Sequence, residues 1–292
     1  MVQSRVPNKT SPGPAGQLRP DPSTCSTKSR ATVKFAAEPV IIFETSQNTV
    51  QRRCDTMSKQ LYETLSGDQV TDEMLVEAAK LFNENYGKPV KLNVRRLREQ
   101  YLPASADSLY TRVMVNGELA GNAFACRWKC GSKSVCWVTQ LVVGQDYRER
   151  GLASGLLRSL RTDTDHIYGI MSSHPAACLA AAASFGTTIE KVSLDFIAQN
   201  AATVMSASPI SYVHDAKLSG TLFDPADSTG IVSGVNTNFF VDHKEPLEAL
   251  ALVRESWDWP LGNLPDGHEY LLILPGKQRR SMSRSGPPPN DG

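Results

Sequence analysis

Residues 135–160 read Val-Cys-Trp-Val-Thr-Gln-Leu-Val-Val-Gly-Gln-Asp-Tyr-Arg-Glu-Arg-Gly-Leu-Ala-Ser-Gly-Leu-Leu-Arg-Ser-Leu, and they constrain the fold more than any other stretch of the chain. Residues 135–143 are dominated by β-branched and apolar types between two turn clusters. The run is too short for a globular helix of usual length, so it is expected to be a buried strand. Gly144, Gln145 and Asp146 break it. Leu152, Leu156 and Leu160 then recur at the four-residue spacing of one helix face. Arg148, Glu149, Arg150 and Gly151 are thereby expected in the first turn of that helix. Backbone N–H groups there lack intrahelical partners and the helix dipole is positive at that end, so an anion is the natural ligand. Gly151 and Ala153 leave room for a bulky diphosphate to approach the main chain, and Arg148 and Arg150 add formal charge.

The flanking sequence supplies an order of elements. Residues 71–86 place Leu75, Ala79, Phe82 and Tyr86 on one helical face, with Thr71 as N-cap, Val70 and Leu75 as a staple and Gly87 past the end. A second helix over 93–101 stops before Pro103. Strands over 109–115 and 118–128 flank Asn116-Gly117, the strongest short hairpin signal, and a turn over 129–134 leads into the strand at 135. Downstream, 167–172 reads as a strand. Residues 174–186 read as an alanine-rich helix opened by His174-Pro175 and closed by Gly186.

The spacing Arg-x-x-Gly-x-Ala at Arg148-Glu149-Arg150-Gly151-Leu152-Ala153, behind a strand end Leu141-Val142-Val143, resembles the pyrophosphate-binding motif of the GCN5-related N-acetyltransferases (GNAT). An ordinary strand-turn-helix with solvated arginines also produces such a hexapeptide; the surrounding order of elements favours the resemblance, which covers about residues 65–190. It implies an α/β (α+β) fold with a central mixed, mostly antiparallel sheet flanked by helices, and acetyl-coenzyme A as cosubstrate. It also implies that the main chain of Leu141, Val142 and Val143 meets the acetyl and pantetheine end. The amides of Glu149, Arg150, Gly151, Leu152, Ala153 and Ser154, with Arg148, would hold the pyrophosphate. His174 stands where the family usually has the asparagine that bonds the pantetheine amides, a role an imidazole can imitate; capping the helix is its plainer role. The acceptor implied is an amine, on a small molecule or at a protein N-terminus or lysine. A fold relative that binds acyl-coenzyme A without turning it over, as a sensor or scaffold, is the alternative.

The catalytic groups are not named by the resemblance. Family members often carry a tyrosine seven residues after the asparagine as general acid, and that position is Ala181 here. Cys178 and Ser184 share its helix face and are candidates to protonate the leaving thiolate directly or through water, or are packing residues. No Glu, Asp or His lies on 135–143 or 167–172, the strands from which a base is commonly supplied. A lysine-like amine spends about 4.6 kcal/mol to be neutral at pH 7, an α-amino group only about 1 kcal/mol, so the sequence leans toward a weakly basic amine or a water-relayed proton. Thr139 and Gln140 are candidates to order that water, or interior polar residues bonded to a neighbouring strand.

The chain has 292 residues and a net charge of +1. Scattered basic residues do not make the stripe a nucleic-acid surface needs. No apolar run is long enough for a transmembrane helix and no secretory signal is evident, so an intracellular, cytoplasmic location is expected, with nuclear or organellar ones open. Cysteines at 25, 54, 126, 130, 136 and 178 form no Cys-x-x-Cys pair. Cys126, Cys130 and Cys136 straddle a hairpin where zinc is conceivable; reduced apolar packing is favoured and no metal is expected. His214-Asp215 and Asp242-His243 lack a nucleophile motif, and the Gly-x-Gly-x-x-Gly dinucleotide fingerprint is absent.

Residues 1–56, rich in Pro, Ser, Thr and basic types, and the tail 277–292 are expected to be disordered, the first being a targeting segment or an inessential extension. The acetyltransferase-like domain is expected over 57–276, with an insertion at about 187–230. Within this region, 194–205 and 246–257 read as helices, 210–223 and 231–242 contain strand-like runs, and 224–229 is a polar loop. The family's two closing antiparallel strands are assigned to 235–241 and 269–274.

Overall fold

The computed structural model describes residues 59–85, 91–238, 240 and 242–277. The expectations for 1–56, Met57, Tyr86, Gly87, Val241 and the tail beyond Lys277 lie outside the described residues.

Asn116 and Gly117 adopt φ of +52° and +91°. Positive φ at both central residues makes the twist of the turn match that of the strands it joins. They connect β2 (Asp107–Val115) to β3 (Glu118–Cys130), which pairs antiparallel with β4 (Lys133–Val143). In that ladder Phe124 faces Gln140 and Ala125 faces Val138, so Thr139 is the extra residue of a β-bulge. On the far side of β2 lies β1 (Gln60–Ser66), also antiparallel. Between β1 and β2 the chain forms α1 (Asp72–Asn85) and α2 (Val94–Tyr101), the first opened by Thr71 and the second capped by Asn93.

After β4 the chain crosses through α3 (Leu152–Ser159) into β5 (Ile167–Ser172), the one strand that runs parallel to its neighbour β4 among the described pairs. Asp165, just before β5, is fully buried and takes Arg127 Nε at 3.0 Å, with Ser134 and Thr162 hydroxyls as further donors. This pins the crossover to β3. The helix α4 (Pro175–Phe185) follows, begun by His174 and closed by Gly186 at φ +98°. Next come α5 (Leu194–Ser206), α6 (Ser211–His214), β6 (Lys217–Ser219), β7 (Gly234–Asn236), α7 (Lys244–Ser256) and β8 (His268–Pro275). The strand order is β1-β2-β3-β4-β5-β8-β7-β6, with β8 antiparallel to both β5 and β7. The result is the expected class: one mixed, mostly antiparallel sheet flanked by helices.

Helices cover both faces. Leu75, Phe82 and Leu97 of α1 and α2 bury Tyr110, Phe124 and Val142. Leu152, Leu156 and Phe185 of α3 and α4 belong, with Ile197 of α5, to the core around Trp137, Ile170 and Leu272. Two-sided burial explains why residues 135–138 are continuously apolar rather than alternating. No described helix is long and apolar enough to cross a membrane.

Three local expectations are corrected and one strand was not expected. The strand β1 went unread because none of its residues is buried: an edge strand held by main-chain bonds to β2 needs no apolar stripe. Residues 210–223 form the short helix α6 and the three-residue strand β6, not one strand-like run. The closing strand expected over 235–241 is β7, only Gly234–Asn236, though it does pair with β8 as assigned. Arg148, Glu149, Arg150 and Gly151 precede α3 instead of forming its first turn; Glu149 and Gly151 sit at φ +61° and +76°, which no helical residue adopts.

Candidate functional site

The loop from β4 to α3 exposes main chain. Gly151 is the N-cap of α3 and no side chain caps the helix, so the first N–H groups, those of Leu152, Ala153 and Ser154, have no acceptor within it. A Cβ on Gly151 would meet nothing within 4 Å, so the space beside this N-terminus is open. Leu152 is buried and anchors the helix start to the core, while Ala153 and Ser154 are half-buried. The two arginines are differently placed from the sequence reading. Arg148 Nε donates to the Val143 carbonyl at 3.4 Å, and its guanidinium forms an ion pair with Glu245 of α7. Arg150 lies 5.5 Å over the Tyr147 ring. Glu149 is exposed.

Parallel pairing of β4 with β5 ends at Val138↔Ile170, although β4 runs on to Val143 and β5 to Ser172. The bulge lies at this point, one residue past the last pair. The bulge at Thr139 bends β4. Within the paired stretch Trp137 lies against Gly169, where any Cβ would collide with the indole, so glycine keeps the strands together up to Val138↔Ile170. The wedge between the strands opens into a cavity of about 270 Å³. Leu141 lines it, Val142 is buried under α1, and Val143 is half-buried.

The walls of this cavity bring together groups far apart in sequence. Tyr101 stacks on Phe124 at 5.7 Å and meets Tyr212 edge-on at 5.9 Å. The Tyr212 hydroxyl donates to the Thr139 carbonyl at 2.8 Å, which supports the bulge from α6. Burial pushes both phenols up, Tyr101 to about 12 and Tyr212 well above the usual tyrosine range, so each is a neutral donor at neutral pH. Thr139 Oγ1 is buried without a hydrogen-bond partner. Glu269 of β8 also lines the cavity. The residue is half-buried, and desolvation raises its pKa to about 7, with Thr237 opposing the shift. A carboxyl poised there can accept a proton and release it near neutral pH. Sequence reading searched the two central strands for such a group and missed it, because the β5–β8 pairing that brings it in is not visible as a local pattern.

His174 caps α4: its Nδ1 accepts from the Ala176 N–H at 3.2 Å. That assigns the proton of the neutral ring to Nε2, which lies 3.6 Å from Glu245. Burial, the largest effect, holds the His174 pKa below its ordinary value. Arg148, Glu245 and the neutral His174 ring thus form a polar bridge from beyond the end of β4 to the start of α4. Of the two roles open to Cys178 and Ser184, acid or packing, the helix face has the packing one. Cys178 and Ala181 are fully buried, Ser184 donates to the Ser154 carbonyl at 3.2 Å, and burial pushes the Cys178 thiol up to about 12. Cys126 and Cys136 are likewise buried, Cys130 is half-buried, and all are unbridged. Among the described residues no three His, Cys, Asp or Glu side chains are grouped to hold a metal.

No protein-family model and no curated protein matches the chain. Solved structures do. A GCN5-related glucosamine N-acetyltransferase region of a fungal multi-domain β-N-acetylglucosaminidase is 12% identical with a TM-score of 0.35, over 40% of this chain and 14% of that one. A tandem GNAT protein from the clavulanic acid biosynthesis pathway is 16% identical, TM-score 0.34, over 43% of each chain. The ribosomal-protein-S18-alanine N-acetyltransferase of Escherichia coli is 16% identical, TM-score 0.33, over 43% of this chain and 77% of that one. The chain therefore spans less than half the length of the first two. These neighbours are of the kind that the sequence resembles; the fold class itself stands on the strand order and helix placement.

Proposed function

We propose that the chain is an acetyl-coenzyme A-dependent N-acetyltransferase of the GNAT type, acting on an amine. The observation that carries this reading is the parting of β4 and β5 after Val138↔Ile170, beside the uncapped start of α3 and over a cavity that holds Glu269. The donor set suits the cosubstrate. The N–H groups of Leu152, Ala153 and Ser154 and the open space at Gly151 fit a diphosphate, with Arg148 and Arg150 near it. Leu141 lines the wedge, Val142 and Val143 continue β4 beyond the last β5 pair and His174 follows β5; by resemblance these are the residues that would meet the pantetheine arm.

Acetyl-coenzyme A supplies an activated acetyl group as a thioester, whose transfer to an amine forms a C–N bond, breaks the C–S bond and leaves a thiolate that takes up a proton. An acceptor arriving as an ammonium gives up two protons, so one goes to the thiolate and one to solvent. Glu269, with a pKa near 7, is the group we assign to take the proton from the nitrogen before attack. The Tyr212 and Tyr101 phenols order the polar end of the cavity. With Cys178 and Ser184 buried in packing roles, the thiolate receives its proton from water or from protonated Glu269, which returns to its carboxylate. A titrating carboxyl in the wedge also favours catalysis over silent cofactor sensing. The test is single-turnover thiol release with acetyl-coenzyme A and a panel of amines. Turnover that falls about 10²- to 10⁴-fold in Glu269→Gln supports the reading; a wild-type chain that releases no thiol with any amine opposes it.

A further inference from the structure

The cavity has two sides, and the one away from the coenzyme describes the acceptor. Gln140 stands opposite Phe124 in the β3–β4 ladder, so the two side chains share a face of the sheet. Phe124 stacks on Tyr101 of α2, and Tyr101 meets Tyr212 of α6. Leu141, next along β4, turns to the other face and packs into the core with α3 and α4, the side from which a coenzyme held at α3 would enter. Glu269 belongs with the phenols, because its charge raises the pKa of both. The parted main chains of β4 and β5 are thus left to the pantetheine arm, and the side formed by Gln140, Tyr101, Tyr212 and Glu269 to the acceptor. Both share a cavity of about 270 Å³, so its walls read only the groups within a few bonds of the reacting nitrogen.

That side is polar and carries one charge. Gln140 is 8% exposed, and its amide lies beside the Tyr101 hydroxyl with neither nitrogen nor oxygen hydrogen-bonded. Thr139 Oγ1 is likewise buried without a partner, and Gln100 and Thr237 add further polar side chains to the lining. A ligand brought against such groups has to give and accept hydrogen bonds, since an apolar body leaves them unpaired. Among the described residues lining the cavity, Glu269 is the only charged side chain. One carboxylate matches one ammonium. A carboxylate or phosphate next to the amine would be desolvated without a counter-charge and would face Glu269. We propose that the acceptor is a primary amine whose ammonium is the only charge near the reacting nitrogen, flanked by neutral hydrogen-bonding groups, carboxamide or hydroxyl. The ammonium lies at Glu269 and the neutral polar groups at Gln140 and Thr139. Free α-amino acids are poor acceptors on this reading; their amides, or amino alcohols, are good ones.

This inference rests on the acetyltransferase reading, and the experiment separates the two. The full chain loaded with coenzyme A is titrated calorimetrically at pH 7 with L-alaninamide, 2-amino-1,3-propanediol, L-alanine and sec-butylamine. These amines are similar in size and place an amide, hydroxyls, a carboxylate or only carbon beside the nitrogen. Thiol release from acetyl-coenzyme A is measured with the same compounds, alongside the melting shift with acetyl-coenzyme A alone. The better of the amide and the aminodiol should bind at least about tenfold tighter than L-alanine and sec-butylamine and lead them in kcat/KM, and its identity tells amide from hydroxyl. A smaller difference or a reversed order overturns the proposal while leaving acetyl transfer standing. So does a melting shift with no binding of the amide or the aminodiol. No melting shift and no thiol from any amine overturns both. In Gln140→Leu the preference over sec-butylamine should fall at least about fivefold, with coenzyme A affinity as in the wild type. A preference that persists in this variant, or a loss of coenzyme A affinity in its place, shows that Gln140 does not face the acceptor and counts against the proposal.

Discussion

Glu269 is a group whose burial has opposite consequences for folding and for chemistry. Its pKa rises from the ordinary glutamate value of 4.5 to about 7, so the folded chain holds a proton that the unfolded chain has released between those values. Stability contributed below pH 4.5 is therefore lost as pH rises through 7, by up to about 3 kcal/mol. Glu269→Gln should abolish that loss: its melting temperature relative to wild type should be higher at pH 8 than at pH 5, as scanning calorimetry at both pH values would show. Activity should move the other way. With an acceptor bound as ammonium, kcat/KM of the wild type should climb about tenfold per pH unit below 7 and level off above it, whereas a profile flat from pH 5.5 to 8 would exclude Glu269 as the base. Asp165 shows the contrasting case of a buried carboxylate with a full set of donors. Asp165→Ala leaves the Arg127 guanidinium without its counter-charge and should cost about 3–5 kcal/mol in urea unfolding. A loss under 1 kcal/mol would mean that solvent already screens the pair.

The helix α7 enters the candidate site through Glu245, which holds Arg148 and lies near His174. An incoming diphosphate competes with that carboxylate for Arg148. Exposed ion pairs are worth about 0.2–1 kcal/mol, so Glu245→Gln should tighten coenzyme A binding about two- to fivefold at low salt. The gain should shrink at 0.5 M salt, and weaker binding in the variant would show that Glu245 helps to hold the ligand. On α4, Ala181 is fully buried, so Ala181→Tyr should cost about 1–3 kcal/mol by overpacking and should not raise the rate. These elements also show what a sequence can display. The helices α1, α4 and α5, the Asn116-Gly117 hairpin and the strand at 167–172 announce themselves by local period, capping residues and turn chemistry. The helix start near Gly151 is legible too, but not the course of the loop: Arg148 to Gly151 are expected in the first turn and lie before it, because the left-handed φ of Glu149 leaves no local pattern. The edge strand β1 buries nothing and leaves no pattern. Tyr212, Glu269 and Glu245 reach the site only through α6, β8 and α7, late elements whose positions depend on long-range pairing and packing.

The sheet divides the labour between its two faces. The α1–α2 side contributes Phe82 and Tyr101 to the cavity, while α3 begins beyond the β4 end and offers main-chain donors for an anion. A chain built this way should bind coenzyme A before any acceptor is present, with the β4–α3 loop and the wedge acting as one site. The most direct test is the melting temperature of the full chain titrated with acetyl-coenzyme A or coenzyme A. At ~100 times the dissociation constant the ligand should add roughly 2.7 kcal/mol, a rise of about 5–10 °C for a domain of this size. A melting temperature unmoved by millimolar acetyl-coenzyme A and coenzyme A would contradict the account.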